Sequence, residues 1–494
     1  MKSIKLYGMA AFALAAAGCA TSVDFDGPRP GETWHVSTET LPLRERPDAQ
    51  SRAVRALAYR DAVVVQKDVR VAPAFSGDRK LFPEDLIPCW ARVSANGQVG
   101  YLPIASLASD WLIANQNPNE TISDEGMTVA KRGFSESETD DELASMRGAA
   151  GAGKVAAKAD MAAVERALAG QRKVTDAEVA AFVSEGQLAG TKVAPVELAV
   201  EARGGASTFA VGAGRLMSQG LNTVATAAGQ DGSDGGRLVS ATGKAAAGMV
   251  HSEIGPVQEF QLGKNVASRI FPLYRAVDPS DPRAVYVSRV GTALALASND
   301  PMPYHGYVFA LVESDEVNAF AVPGGFVFVT TAMLDFLKDE DELAAIIGHE
   351  MGHMELRHGV KAVGKESVLK LFSLLKEIGT KGGEGDVLAA QLKAMIDEVF
   401  GKMLTSIRNG YGVEIESQAD WRSLQLCARL GYDTKALYEV LERFKETKGS
   451  YGGASYPAER GADILKYRKQ LGYSDSAAAG RAARAARYAA SARK

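Results

Sequence analysis

The chain has 494 residues, too many for one hydrophobic core, so roughly two to four domains are expected. Hydrophobic residues make up 46%, an ordinary share for a folded protein, and the formal net charge of -4 leaves no electrostatic case for a nucleic-acid partner. In chain order, Lys2 and Lys5 precede an apolar run, Leu6 to Ala17, that is too short to span a bilayer. It ends in Ala16-Ala17-Gly18-Cys19, so residues 1–18 read as a signal peptide and 19–31 as a tether. No later segment is long and apolar enough to cross a membrane. Cys89 and Cys427 fall in different predicted domains, and no disulfide is expected between them.

The small residues before Cys19 resemble the lipobox of bacterial lipoproteins, with Ala16 where that motif more often has Leu. The resemblance implies cleavage before Cys19, lipidation of its thiol, and, with Ala20 next, retention at the outer membrane. Residues 32–112 read as short strands: Leu41 to Pro47, Ala62 to Val65, Trp90 to Val93, and Gly100 to Pro103 after the hairpin signal Asn96-Gly97. Their order resembles bacterial SH3-like domains, with an insertion near 70–88. A cell-wall or protein ligand is implied for this domain, beside the plainer reading of a spacer. Residues 113–252 are Ala/Gly-rich and read as a linker, with Met161–Leu168 and Asp176–Val183 as short helices.

From 253 the pattern turns to helices over Gln258–Ile270 and Arg283–Leu296 and strands at Val308–Val312 and Phe326–Thr330. Pro323-Gly324-Gly325 marks a turn between β-prone runs. The next helix carries His349-Glu350-Met351-Gly352-His353. Residues four apart share a helix face, so His349 and His353 can offer two imidazoles to one metal ion, with Glu350 beside them as general base. Asp339 is the expected N-cap, and Glu342 completes a capping box. Apolar helices follow over Ser367–Ile378 and Val387–Ile407.

A catalytic zinc takes three protein ligands and leaves one position open. Residues from about 253 to 470 resemble the zinc metallopeptidases related to the CAAX prenyl protease, in their soluble periplasmic branch. The landmarks are Glu259 with Leu262-Gly263, Asn318 to Gly325, HExxH extended to His358, Glu416 to Asp420 (ExxAD), and Leu430 to Asp433. The resemblance implies one Zn2+ per chain held by His349, His353 and Glu416, with Asp420 behind them orienting a ligand imidazole. It also implies substrate contacts at Asn318, Ala319, Phe320, Gly324 and Gly325, where the strand before or after the turn would pair with an extended peptide. Helix geometry agrees on the third ligand. On one helix over 411–430, Glu416 and Asp420 share a face with Leu424 and Cys427, whereas Glu414 points away. Two departures from the family pattern stand out: Gly412-Val413 replace its Ser-Arg, and Ser455-Tyr456-Pro457 replace its His-Pro before Arg460.

The expected fold is multidomain α+β: a small all-β SH3-like barrel, then a mainly helical zincin-type metallopeptidase domain, 253–472, with a small sheet. The tail, 473–494, places Arg481, Arg484 and Arg487 on one helix face, read as a solvated face or one that touches lipid or cell wall. The function implied is a lipid-anchored periplasmic zinc endopeptidase acting on polypeptides, unfolded envelope proteins foremost. The alternatives are a cell-wall peptide hydrolase and a non-catalytic chaperone-like lipoprotein.

Overall fold

Val63 and Val65 are 0% and 1% exposed, whereas Val64 between them is 43% exposed. That alternation with period two is what makes a half-buried strand. The computed structural model describes residues 30–69, 90–109, 160–188, 256–298, 302–364, 386–446, 458–470 and 480–492, with 28, 300, 367, 370 and 473 as isolated positions. Cys19, Cys89, residues 113–159 and 189–252, Arg493 and Lys494 lie outside them. Seven strands, β1 (Thr33–Val36), β2 (Thr40–Arg44), β3 (Ala53–Ala58), β4 (Ala62–Val69), β5 (Trp90–Ala95), β6 (Gln98–Pro103) and β7 (Leu107–Ser109), form one sheet in the order β3-β2-β6-β5-β4-β1-β7. All the pairings are antiparallel. Asn96 and Gly97, both at positive φ (48° and 78°), close the β5–β6 hairpin as that dipeptide signals. The sheet has its own core of Val36, Leu41, Leu43, Leu57, Val93 and Leu102.

A second sheet, β10-β11-β9-β8, contains β8 (Arg275–Ala276), β9 (Val308–Glu313), β10 (Ala319–Val322) and β11 (Phe326–Thr330). Nearly every residue of β9 to β11 is buried, so helices cover both faces of this sheet. β11 pairs with β10 on one side and β9 on the other, which leaves β10 at the sheet margin. The hairpin turn between them needs positive φ at Gly324 (78°) and Gly325 (108°).

Helices α1 (Met161–Gln171) and α2 (Asp176–Glu185) fall in the stretch expected to be a linker with helices. They pack on α3 (Pro256–Leu273), α4 (Pro282–Ala297) and β9. Gln171 fixes α1 there, accepting from Phe309 N (3.2 Å) and donating to Thr292 Oγ1 (2.9 Å). The loop after α4 meets the first sheet: Glu39 N donates to Tyr304 O (2.7 Å), and Met302 packs on that sheet's core. Its Asp300 carboxyl is pushed up to about 7 by burial and by the charges of Glu355 and Glu259. Between about pH 4 and 7 the folded state therefore keeps a proton that the unfolded chain has lost, and stability falls as pH rises through that window. Asp300→Asn is expected to flatten this loss, measured as denaturation midpoints at pH 5 and pH 8.

The remaining helices are α5 (Thr331–Phe336), α6 (Glu340–Glu355), α7 (His358–Val363), α8 (Asp386–Asn409), α9 (Val413–Leu430), α10 (Ala436–Glu446), α11 (Ala458–Gln470) and α12 (Arg481–Ser491). The centre is α6, buried without interruption from Glu340 to His353. Burial of its acidic first turn depends on α12, and here the expectation of a solvated or lipid-facing tail is corrected. Arg484, 0% exposed, donates Nε and Nη2 to Asp341 (both 2.7 Å). Arg487 donates Nε to Glu340 (2.7 Å), and Arg481 donates to Asp339 (2.9 Å), Asp433 (2.7 Å) and Glu439 (2.8 Å). Carboxylates suit a helix N-terminus, and buried ones need charged partners, so the arginine face turns inward.

Candidate metal centre

Two crossing helices build the site. Asp339 caps α6, accepting from Glu342 N (2.9 Å). The reciprocal half of the expected capping box is not made, because Glu342 instead accepts from Lys338 N (2.7 Å) and from Arg443. Helix α9 lies close against α6: a Cβ on Gly352 would sit 3.0 Å from the Ala419 backbone, so a larger residue there would require the two helices to give by a few tenths of an ångström. Ser423 Oγ donates to Ala345 O (2.6 Å) across the same contact. This crossing sets Glu416 opposite the two histidines.

His349 Nε2 and His353 Nε2 are 3.1 Å apart. Glu416 Oε2 is 3.2 Å from the first, and Oε1 is 3.7 Å from the second. Ligand atoms of all three residues lie within 4.8 Å of one another, and all three residues are buried. Glu414, by contrast, is exposed. Behind these three side chains, Asp420 Oδ1 lies 2.8 Å from His349 Nδ1 and is itself pinned by Arg460, whose Nε and Nη2 donate to it at 2.9 and 2.6 Å. His358 Nδ1 lies 2.9 Å from His353 Nδ1.

The electrostatics call for positive charge at the centre. Burial pulls the His349 imidazole down, but the Asp420 and Glu416 carboxylates, accepting from its ring nitrogens, outweigh it and raise it to about 10. Burial pushes Glu416 up, yet the two imidazoles hold its carboxyl well below the ordinary range. A buried carboxylate between two imidazole nitrogens is thus neutralised here by a proton. A divalent cation with nitrogen and oxygen preference would meet the same need, and the donor set, two imidazoles and one carboxylate, has the chemistry of a zinc site.

Glu350, 4% exposed, follows His349 on α6. Two further groups reach the site without having been selected from the sequence. The Tyr411 ring lies 4.7 Å from that of His353, and its N–H donates to Glu416 Oε1 (3.0 Å). Burial and the charges of Glu350 and Glu416 raise its phenol, which places the hydroxyl in the field of both carboxylates. Arg460 Nη1 lies 3.2 Å from Glu416 Oε2, besides holding Asp420. The only sequence hint was its place after the departing Tyr456-Pro457.

β10 runs beside α6. Of the two strands flanking the turn, β11 is enclosed on both sides, so β10 is the one with a margin. The side chain of Phe320 stacks on Phe328 (5.1 Å) in the core, and Asn318 Nδ2 donates to Glu316 Oε1 (3.1 Å). Ala319 is buried with them, and Gly324 and Gly325 form the turn.

Residues 282–478 match the model of peptidase family M48. The mitochondrial metalloendopeptidase OMA1 of Schizosaccharomyces pombe is 28% identical over 187 residues, covering 38% of this chain and 49% of that protein. The beta-barrel assembly-enhancing protease of Escherichia coli (strain K12) is 28% identical over 193 residues, 38% of this chain and 37% of that protein. OMA1 of Arabidopsis thaliana is 28% identical over 173 residues, 35% and 32% of the two chains. The chain therefore spans half or less of the length of these relatives. The matched segment is similar to the M48 peptidases, and it contains every residue of the centre just described.

Proposed function

We propose that this chain is a zinc metalloendopeptidase, lipid-anchored through Cys19 on the periplasmic side of the outer membrane, that cleaves unfolded or misassembled envelope proteins. The observation that carries the catalytic part is the buried convergence of His349 Nε2, His353 Nε2 and the Glu416 carboxylate, with Glu350 on the same helix. The M48 match supports hydrolysis of peptide bonds, and the relatives named for beta-barrel assembly support an envelope substrate. No helix among the described residues is long and apolar enough to cross a membrane.

His349, His353 and Glu416 would hold the zinc, which supplies Lewis acidity for the scissile carbonyl and for the attacking water. Glu350 takes the proton from the water as it attacks and delivers it to the departing amine nitrogen. Asp420, held by Arg460, keeps the His349 ring aimed at the centre. The β10 margin, led in by Asn318, Ala319 and Phe320 and ended at Gly324 and Gly325, pairs through its backbone with an extended substrate. The seven-stranded sheet serves as an SH3-like domain for a cell-wall or protein ligand.

The test is digestion by the zinc-loaded full-length protein of a permanently unfolded protein and of purified peptidoglycan, side by side. Cleavage of the protein alone is expected. Digestion of peptidoglycan peptides alone would instead establish the cell-wall reading, and inertness toward both would favour a binding lipoprotein.

A further inference from the structure

His358 stands outside the HExxH motif, yet it is 2% exposed and in contact with a proposed ligand. It starts α7, after Arg357 turns the chain through a left-handed residue (φ 55°). Its Nδ1 is 2.9 Å from His353 Nδ1, and its Nε2 is 3.2 Å from Gln418 Oε1. A neutral imidazole has one N–H and one lone pair, and an amide oxygen only accepts. With Gln418 Oε1 accepting, His358 Nε2 carries the hydrogen and His358 Nδ1 is the lone pair. That lone pair can face His353 Nδ1 only if His353 Nδ1 carries its hydrogen. His353 Nε2 is then the bare nitrogen, and it points at His349 Nε2 and Glu416.

We propose that His358 and Gln418 form a hydrogen-bond chain that fixes His353 in the tautomer a metal ligand needs, making His358 a positioning residue for the centre. The inference rests on the metallopeptidase reading above. The two ligand histidines are thereby oriented by different means. His349 leans on a carboxylate, Asp420, whose charge Arg460 balances. His353 leans on a neutral ring, which adds no second buried carboxylate beside Glu416. Ligand histidines in general hand their second nitrogen to an acceptor. Here that acceptor is another imidazole, itself set by an exposed amide on α9. Since Gln418 is exposed, the chain can be altered from the surface without disturbing the core.

The experiment measures zinc affinity of the full chain by chelator competition. His358→Leu keeps an apolar filling but has no acceptor for His353 Nδ1–H. His358→Asn puts an amide oxygen near the position of Nδ1. Gln418→Met removes the outer acceptor, and Gln418→Glu keeps one. The proposal expects His358→Leu to weaken zinc binding by about 10–100-fold, Gln418→Met in the same direction and less, and His358→Asn and Gln418→Glu to retain it. Rescue by Asn but not Leu separates hydrogen bonding from mere filling of space. Equal affinity of His358→Leu and wild type, or equal loss in Leu and Asn, would overturn the proposal while wild-type zinc binding leaves the metal reading standing. Should His358→Leu fail to fold, the surface pair decides alone: Gln418→Met indistinguishable from Gln418→Glu overturns it. Wild type that takes up no zinc overturns the metal reading, and this inference with it.

Discussion

Glu350→Gln is expected to lower hydrolysis of an unfolded protein by about 10²–10⁴-fold while zinc content stays unchanged. The amide keeps the volume of a side chain that is 4% exposed, so the packing of α6 against α9 is preserved. It removes only the ability to accept a proton. The three proposed ligands, His349, His353 and Glu416, are untouched, and so are Asp420 and His358 behind them. The check is turnover and elemental analysis on the same preparation. Turnover near wild type would move the base elsewhere in the site. Loss of zinc together with turnover would mean that Glu350 itself helps to hold the metal.

Arg484→Met is expected to destabilise the fold by about 3–5 kcal/mol, the loss typical when one partner of a buried ion pair is removed. Arg484 and Asp341 are both fully buried and joined by two hydrogen bonds of 2.7 Å. Without the guanidinium, Asp341 still accepts from the N–H of Asp433 (2.7 Å), but its charge is left buried. The damage falls at the start of α6, which carries His349 and His353 further along. Zinc affinity is therefore expected to fall with stability. Chemical denaturation of wild type, Arg484→Met and Arg484→Lys measures the effect, with Lys intermediate because it keeps the charge but not the two-pronged geometry. A cost below about 1 kcal/mol, the range of surface pairs, would show that α12 is not what holds the acidic first turn.

The parts of the centre written in local spacing were legible in the sequence. His349, Glu350 and His353 lie within five residues on one helix, and Glu416 and Asp420 lie one turn apart on another, so helical period alone aims them. The Asn96-Gly97 hairpin was legible for the same reason: two positive φ angles in succession leave few residue choices. The long-range partners were not. Arg460 meets Asp420 from 40 residues away, and His358 meets Gln418 across 60. Tyr411 is placed by the loop into α9, where Gly410 and Gly412 take positive φ. The arginines of α12 pointed the sequence reading outward, because an Ala-rich helix with arginines three apart has the pattern of a solvated face. Their inward turn depends on the acidic start of α6, 143 residues earlier for the Arg484–Asp341 pair, and no local pattern records that. The capping box failed more locally: Glu342 is drawn to Arg443 and Lys338 N, so its carboxylate does not return to the cap.

The central claim is that His349, His353 and Glu416 make one metal site, and zinc stoichiometry tests it most directly. Elemental analysis would be run on folded wild type, Glu416→Ala and Glu414→Ala after dialysis against limiting zinc. One zinc per chain is expected in wild type and in Glu414→Ala, whose carboxylate is exposed on α9, with most of it lost in Glu416→Ala. A full complement of zinc in Glu416→Ala, or its loss in Glu414→Ala, would contradict the account.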